Sequence, residues 1–470
     1  MTTTAQRDVT LTPQQSECVN YSSRSLLIRG VPGSGKTVVL LRRARKFAES
    51  DNCCTVRILT YNRTLARFAG ELVAQLNRPQ IQVMTFHSWA QKATTAVMGF
   101  RRVVSAPVRR ELIERYVAEA KAASPANTLL AREFEFWRDE IAWIKGSLIG
   151  RETDYLAAER RGRGSALKAA DRSVAWSVYM RYQRALERSQ KVDWEDYGRV
   201  LLDRIDQWPA RLYCDHVLVD EAQDLHPNQL AVLGRMAKRS LTIAADEGQK
   251  IYKTAFAWSD LGINVRGGGS KRLGQTFRST RQIIGLANCL RLRDRRENGS
   301  AEESELYDLP DIEGPRPAVW NVGTELKEEE VTIGIVKGLL HDQPDATIGL
   351  LARSWDTLYR FNALFREHRL PFGFIKDDDG AAITTAGIKL STFHGAKGLE
   401  FDFVIISRFS ENTTPPRADT GADEIDLSVE RRLIYVSMTR AKFGLFFTYS
   451  GKPSPFIEEF DPSLYDAKSV

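Results

Sequence analysis

The segment Gly30-Val31-Pro32-Gly33-Ser34-Gly35-Lys36-Thr37 has the residue types and spacing to hold a polyphosphate. Gly30, Gly33 and Gly35 let backbone N–H groups around Ser34 turn inward on phosphate oxygens, and a helix that follows adds its N-terminal dipole. In such a loop Lys36 reaches the β and γ phosphates and the Thr37 hydroxyl ligates Mg2+. This chemistry also needs a carboxylate pair at the end of a neighbouring strand. His216-Val217-Leu218-Val219 runs into Asp220-Glu221-Ala222-Gln223-Asp224. Asp220 is placed to hold the magnesium, and Glu221 to orient and deprotonate an attacking water. Together the two segments specify hydrolysis of a nucleoside triphosphate, with ATP and Mg2+ as the expected ligands.

These side chains need strands behind them. Ser25–Arg29 reads as the strand before the phosphate loop, and about Val38 to Glu49 as the helix after it. Further β-branched apolar runs at Val56–Thr60, Val217–Val219, Leu241–Ala244, Ile348–Leu351 and Phe403–Ile406 alternate with helical patterns. That alternation predicts an α/β fold with parallel sheets and crossover helices. Between about Arg101 and Lys191 the pattern turns helix-periodic, and Arg151–Arg188 carries nine basic against five acidic residues. This stretch reads as an all-helical insertion in the first α/β domain. Lys271–Arg296 holds eight basic residues and one acid, whereas Glu297–Gly314 holds seven acids and no base. The acidic piece reads as an exposed loop or linker.

At 470 residues the chain exceeds one ordinary core, so two or three domains are expected. Its net charge of +7 permits a polyanionic partner without demonstrating one. No run approaches the about 18 apolar residues of a spanning helix. The start, MTTTAQRDVTL, lacks the basic and apolar regions of a secretion signal. Cys18, Cys53, Cys54, Cys214 and Cys289 form no CxxC pair and are odd in number, which argues against a disulfide framework or a zinc site. A cytoplasmic enzyme without a membrane partner is the expectation.

An ordered series of further motifs resembles the superfamily 1 helicases of the UvrD/Rep/PcrA type. Leu11-Thr12-Pro13-Gln14-Gln15 resembles the family's adenine-reading segment, with Gln15 at the glutamine position. Thr60-Tyr61-Asn62 and Thr85-Phe86-His87-Ser88 resemble its two single-strand contacts in the first core. Asp246 to Tyr252 resembles the motif whose glutamine, here Gln249, senses the γ-phosphate. Phe277-Arg278-Ser279 resembles the segment with an aromatic for adenine and an arginine for phosphate. Thr392-Phe393-His394 through Glu400 resembles the segment linking DNA to the ribose, with Glu400 on the sugar. Glu430 to Lys442 resembles the last motif and its arginine finger, Arg440.

The resemblance implies two RecA-like cores of the P-loop NTPase type with nucleotide in the cleft between them. The first core would span 1–100 and 192–270, the helical insertion 101–191 and the second core 271–470, with the acidic loop at 297–314. Glu221, Gln249, Arg278 and Arg440 take catalytic roles in this picture, and Thr60–Asn62, Thr85–His87, Thr392 and His394 grip single-stranded DNA. It implies ATP-driven 3′-to-5′ movement on single strands, and strand separation at single/double-strand junctions. The chain departs from the family at Val38, where an arginine is usual, and at Thr254, where a tryptophan is usual. Ile375–Gly387 stands in place of a large helical insertion. That brevity favours an alternative, a DNA-activated NTPase switch or translocase with a protein partner in a repair or defence assembly. A degenerate nucleic-acid binding module is opposed by the intact Lys36, Asp220, Glu221, Arg278 and Arg440.

Overall fold

The structure, a computed structural model, describes residues 10–61, 63–158, 167–246, 258–265, 267–298, 308–375, 385–416 and 427–470. Asn62, Gln249 and Thr254, residues 299–307 of the acidic loop and residues 376–384 lie outside the described residues. The first half contributes β1 (Ser25–Gly30), β2 (Val56–Thr60), β3 (Ile81–Thr85), the short β4 (Arg102–Val103) and β5 (Lys191–Val192), β6 (Cys214–Val219), β7 (Ala237–Ala245) and β8 (Ser270–Leu273). Six of these form a sheet in the order β3-β2-β6-β7-β1-β8, while β4 and β5 pair with each other. The second half contributes β9 (Ala318–Val322), β10 (Thr347–Ala352), β11 (Phe372–Phe374), β12 (Gly387–Thr392), β13 (Phe401–Ile406), β14 (Ala441–Ser450) and β15 (Asp466–Ser469). These seven run in the order β11-β12-β10-β13-β14-β9-β15. Every ladder in both sheets is parallel.

Parallel strands covered on both faces read as continuous apolar runs. Thus Val217, Leu218 and Val219 are all buried, as are Leu241, Ile243 and Ala244. One face of the first sheet packs on Trp89, Leu201, Leu230 and Met236, and the other on Val39, Leu40, Ala44 and Cys18. The helix Lys36–Ser50 buries Lys36, Val39, Leu40, Arg43, Ala44 and Ala48, the stripe expected of one helical face. Arg43 is buried there and donates to Cys18 O at 2.9 Å, Val19 O at 3.1 Å and Thr242 Oγ1 at 2.8 Å. It thereby satisfies the last carbonyls of the helix Pro13–Asn20 and fixes that helix beside the phosphate loop. Its pKa is lowered to about 10, burial being the main cause.

Helices Ala106–Ala123, Phe134–Gly146, Glu152–Ala157 and Ala169–Arg188 build a separate core around Trp137, Ile141, Tyr155 and Tyr182. The β4–β5 pair closes the base of this excursion, so the chain leaves and re-enters at adjacent points. The first sheet keeps the chain through Leu273, because β8 pairs with β1. The handover is tight: Val31 N of the phosphate loop donates to Leu273 O at 3.1 Å, and the Val31 side chain is buried with Ile283, Leu433 and Phe393 of the second half. No helix among the described residues is long and apolar enough to cross a membrane.

Candidate nucleotide site and nucleic-acid face

β1 delivers the phosphate loop and β6 the acidic pair, at the carboxyl ends of strands separated by β7. Gly33 and Gly35 have φ of +73° and +79°, which side chains rarely adopt. A Cβ on Gly33 would also lie 2.5 Å from Cβ of Arg278 and 2.7 Å from Thr276 Oγ1. Lys36 is buried and its Nζ donates to Gly30 O and Val31 O, both at 2.9 Å, with Asp246 Oδ2 at 3.6 Å. Thr37 Oγ1 donates to Asp220 Oδ2 at 2.7 Å, which joins the two residues expected to hold magnesium. The Ser34 hydroxyl is buried with no partner among the described residues. Backbone turned by glycines, an unsatisfied hydroxyl and a hydroxyl–carboxylate pair fit a magnesium nucleotide.

Glu221 adopts φ +51° and ψ +42°, a left-handed conformation costing a non-glycine residue about 1–2 kcal/mol. Its N–H donates to Asp220 Oδ1 at 3.0 Å, and Gln223 Nε2 donates to its carboxylate. Gln223 Oε1 in turn accepts from Asp246 N at 2.9 Å, tying the Asp220–Asp224 segment to the end of β7. Burial, then Glu221, pushes the Asp220 carboxyl up to about 6. Burial acts on Glu221 in the same direction, but Lys36, Lys397 and Arg440 outweigh it and hold that carboxyl below its ordinary value. The neighbours therefore keep Glu221 ionised and leave Asp220 as the group that gains most from a cation.

The second half closes over this loop. Phe277 N donates to Gly33 O at 2.9 Å while the Phe277 ring is 46% exposed. Arg278 pairs with Glu400, which sits just before β13, and Ser279 Oγ donates to Ala441 O at 2.6 Å. Burial would raise the Glu400 carboxyl, but Arg278, Lys442 and Arg440 hold it low. Arg440 is 1% exposed, with Nε on Val436 O at 2.9 Å, Nη1 on Leu399 O at 3.3 Å and Nη2 on Thr439 Oγ1 at 3.2 Å. Its pKa falls to about 10, through burial and then the charge of Arg278, while Glu221, Glu400 and Asp246 pull the other way. Lys397 crosses the cleft to Asp224. Gln15 is placed against the loop with its amide held at both ends: Nε2 donates to Ser34 O at 3.0 Å and Oε1 accepts from Thr12 N at 3.0 Å.

A separate surface gathers the residues expected to grip a strand. Tyr61, just past β2, is 47% exposed, and its ring meets His87 edge-on at 5.6 Å. Thr85 and Thr392 cap equivalent turns after β3 and β12, accepting from Ser88 N at 3.1 Å and Gly395 N at 3.1 Å. Phe86 is fully buried against Trp89, so its ring supports the core and offers no face to a strand. Thr60 is buried too, its hydroxyl without a partner among the described residues. His394 stands exposed. Burial lowers the pKa of His87 to about 4, opposed by Glu195, so at neutral pH it is an uncharged ring.

Sequence reasoning missed Trp194, which is 37% exposed and lies edge-on to His87 at 5.4 Å. The available signal was its setting, Val192-Asp193-Trp194-Glu195-Asp196, an aromatic between acids. Those acids are its anchor. Buried Lys145 reaches Asp193 at 2.6 Å and Asp196 at 3.0 Å, Tyr182 and Arg109 add to Asp193, and Arg109 also reaches Glu195 at 2.5 Å. Burial opposes the Lys145 charge, but Asp196 and Asp193 raise its pKa. Lys145→Ala leaves buried Asp196 without its cation and Asp193 with Arg109 alone, so a loss of about 3–5 kcal/mol is expected. Urea unfolding of the full chain followed by tryptophan emission checks this, and an unchanged midpoint would contradict it.

The fold and site define a P-loop NTPase in which acids of one parallel-sheet core and arginines of another converge on one phosphate loop. The model of the UvrD/REP helicase N-terminal domain matches residues 11–258, and that of the UvrD-like helicase C-terminal domain matches 374–452. Over 564 aligned residues the chain is 25% identical to ATP-dependent DNA helicase UvrD2 of Mycobacterium tuberculosis, covering 95% of this chain and 79% of that one. DNA helicase IV of Escherichia coli is 24% identical over 512 residues, covering 95% and 69%. ATP-dependent DNA helicase PcrA of Leuconostoc citreum is 27% identical over 300 residues, covering 59% and 38%. The chain belongs to the UvrD/REP helicase family, and is an enzyme of the helicase class.

Proposed function

We propose that this protein is an ATP-dependent DNA helicase that moves along single-stranded DNA by opening and closing the cleft between its two cores. The observation that carries the reading is convergence: Lys36, Thr37, Asp220 and Glu221 of the first sheet face Arg278, Glu400 and Arg440 of the second across one loop. Lys36 binds the β and γ phosphates, and Thr37 and Asp220 hold the magnesium. When bound, that ion neutralises charge building on the phosphate oxygens. Glu221 orients the attacking water and takes its proton. Arg278 and Arg440 stabilise the transferring phosphoryl group, which requires a closed cleft. Arg278 must leave Glu400 to do so, which frees Glu400 for the ribose. Closure thus follows nucleotide state, because the arginines exchange one partner for another.

Movement requires that the same closure displace a strand. Tyr61 and His87 lie past β2 and β3, with Trp194 packed edge-on against His87, and Thr392 and His394 lie past β12, so a strand lying across these ends touches both cores. Direction, taken as 3′ to 5′, rests on family membership alone. The test is ATPase rate with single-stranded DNA, RNA or duplex, measured side by side. Single-stranded DNA should stimulate most. Tyr61→Ala and Trp194→Ala should lower the stimulated rate more than the basal one, and weaken strand affinity by about ten-fold each. Equal loss of both rates would assign these rings to the fold. The connection between Phe374 and Gly387 is short enough to favour a second reading, a translocase or switch that unwinds little without a protein partner. A forked duplex under single-turnover conditions separates the two.

A further inference from the structure

The acidic segment that supplies Asp220 and Glu221 leads directly into the helix Pro227–Met236. There is no slack between them. Asp224 N donates to Glu221 O at 3.0 Å, Leu225 N to Ala222 O at 3.1 Å, and Leu230 N to His226 O at 3.1 Å. Leu230, Val232, Leu233 and Met236 anchor this helix in the core of the first sheet. Its first turn instead meets the helical insertion. Asn228 is 1% exposed, and its Nδ2 donates to Lys145 O at 2.8 Å and to Glu195 O at 3.3 Å. Lys145 lies in the last turn of the insertion helix Phe134–Gly146, and Glu195 follows Trp194. One amide, four residues past Asp224, therefore holds both the end of the insertion helix and the segment that carries Trp194.

Two glycines make this joint possible. A Cβ on Gly146 would lie 2.5 Å from His226 Nδ1, and one on Gly198 would lie 2.5 Å from Cγ and 2.6 Å from Oδ1 of Asn228. Neither glycine has a positive φ, so close approach is what each supplies. Asn228 Oδ1 is buried with no partner among the described residues. Leaving a buried carbonyl unpaired is costly, and an apolar side chain of similar size would avoid that cost. Stability therefore does not account for an amide at this position. What the amide supplies is direction, because its two N–H groups aim at carbonyls of two separate chain segments.

We infer that Asn228 is a positioning residue through which a strand held at Trp194 sets the catalytic acids. The inference rests on the reading of the chain as a helicase stimulated by single strands. Trp194 lies edge-on to His87, and the acids Asp193 and Asp196 that flank it are pinned to Lys145. A displacement of Trp194 by a strand moves the Glu195 carbonyl and the end of the insertion helix together. Asn228 passes that displacement to the first turn of its own helix. On the other side of this turn Asp224 meets Lys397 of the second core, and Glu221 faces the attacking water. Asn228 is itself buried, so it touches neither nucleotide nor strand and acts only through its neighbours.

The test measures ATP hydrolysis by the full chain with and without saturating oligothymidylate, and oligothymidylate affinity by anisotropy. Asn228→Ala should cut the ratio of stimulated to basal kcat by about five- to twenty-fold, with basal kcat, KM for ATP and strand affinity each within about two-fold. Asn228→Ser, which keeps one donor, should recover part of the ratio. Gly198→Ala displaces the amide without removing it, so it should lower the ratio in the same way, and it carries the test if the Asn228 variants do not fold. In a Trp194→Ala background, Asn228→Ala should cost little further stimulation, because both act on one path. A wild-type ratio in Asn228→Ala would overturn the inference. Stimulated and basal rates that fall together would also overturn it and assign Asn228 to the fold, as would a full Asn228→Ala penalty added to that of Trp194→Ala. A wild-type protein that single strands do not stimulate would sink the helicase reading, and the inference with it.

Discussion

Glu221→Gln is expected to lower kcat for ATP by at least about 100-fold, roughly 2.7 kcal/mol of transition-state stabilisation, with nucleotide affinity little changed. The substitution keeps the shape of the side chain, so the hydrogen bond from Gln223 and the left-handed backbone at position 221 can both persist. It removes the negative charge that Lys36, Lys397 and Arg440 maintain, and with it the capacity to accept a proton. The Thr37–Asp220 pair and the backbone cradle stay in place, which is why binding survives. Lys36→Ala supplies the contrast, because it removes the group that contacts phosphate and should weaken binding itself. Steady-state hydrolysis together with fluorescent-nucleotide titration separates the two effects. A Glu221→Gln enzyme keeping more than about a tenth of wild-type kcat would show that another group takes the proton.

The nucleotide side of this site was legible because its chemistry is local. Loop glycines, a lysine and a threonine at fixed spacing encode their own geometry, and Leu26–Arg29 and Val217–Val219 are apolar enough to announce the strands that carry them. β3, β8, β9, β12 and β14 were harder to read as strands. Ser270-Lys271-Arg272-Leu273 is an edge strand with charged side chains, a composition suited to avoiding further pairing but poor in strand signal. Gly387–Thr392 contains the buried Lys389, and its place beside β10 depends on a partner 40 residues away. The strand-gripping face was only partly legible for a related reason. Sequence gives residue types at turns, whereas exposure comes from packing: Tyr61 and Phe86 look equally suited to stacking, yet one is 47% exposed and the other 0%. Trp194 became visible only once Lys145 and its acids placed it.

Arg278→Ala and Arg440→Ala are each expected to reduce kcat by about 100- to 1,000-fold, within the range that arginine fingers contribute to phosphoryl transfer. Strand affinity without nucleotide should change by less than about three-fold, since neither residue lies on the face that carries Tyr61 and His394. Their environments then predict a difference in stability. Arg278 is partly open and has Glu400 as its partner, so its loss frees a carboxylate that solvent can reach. Arg440 is buried and bonded to Val436 O, Leu399 O and Thr439 Oγ1, so its truncation leaves a cavity and unsatisfied carbonyls between the helix Leu427–Met438 and the start of β13. Arg440→Ala should therefore also lower the melting temperature, whereas Arg278→Ala should not. Arg440→Lys sharpens the distinction, because an ammonium can restore charge but not a planar fork that donates to three acceptors while facing phosphate. Its melting temperature should recover in part while kcat stays low. Normal turnover in both alanine variants would mean that the second sheet takes no part in hydrolysis, and closure of the cleft would lose its link to the nucleotide.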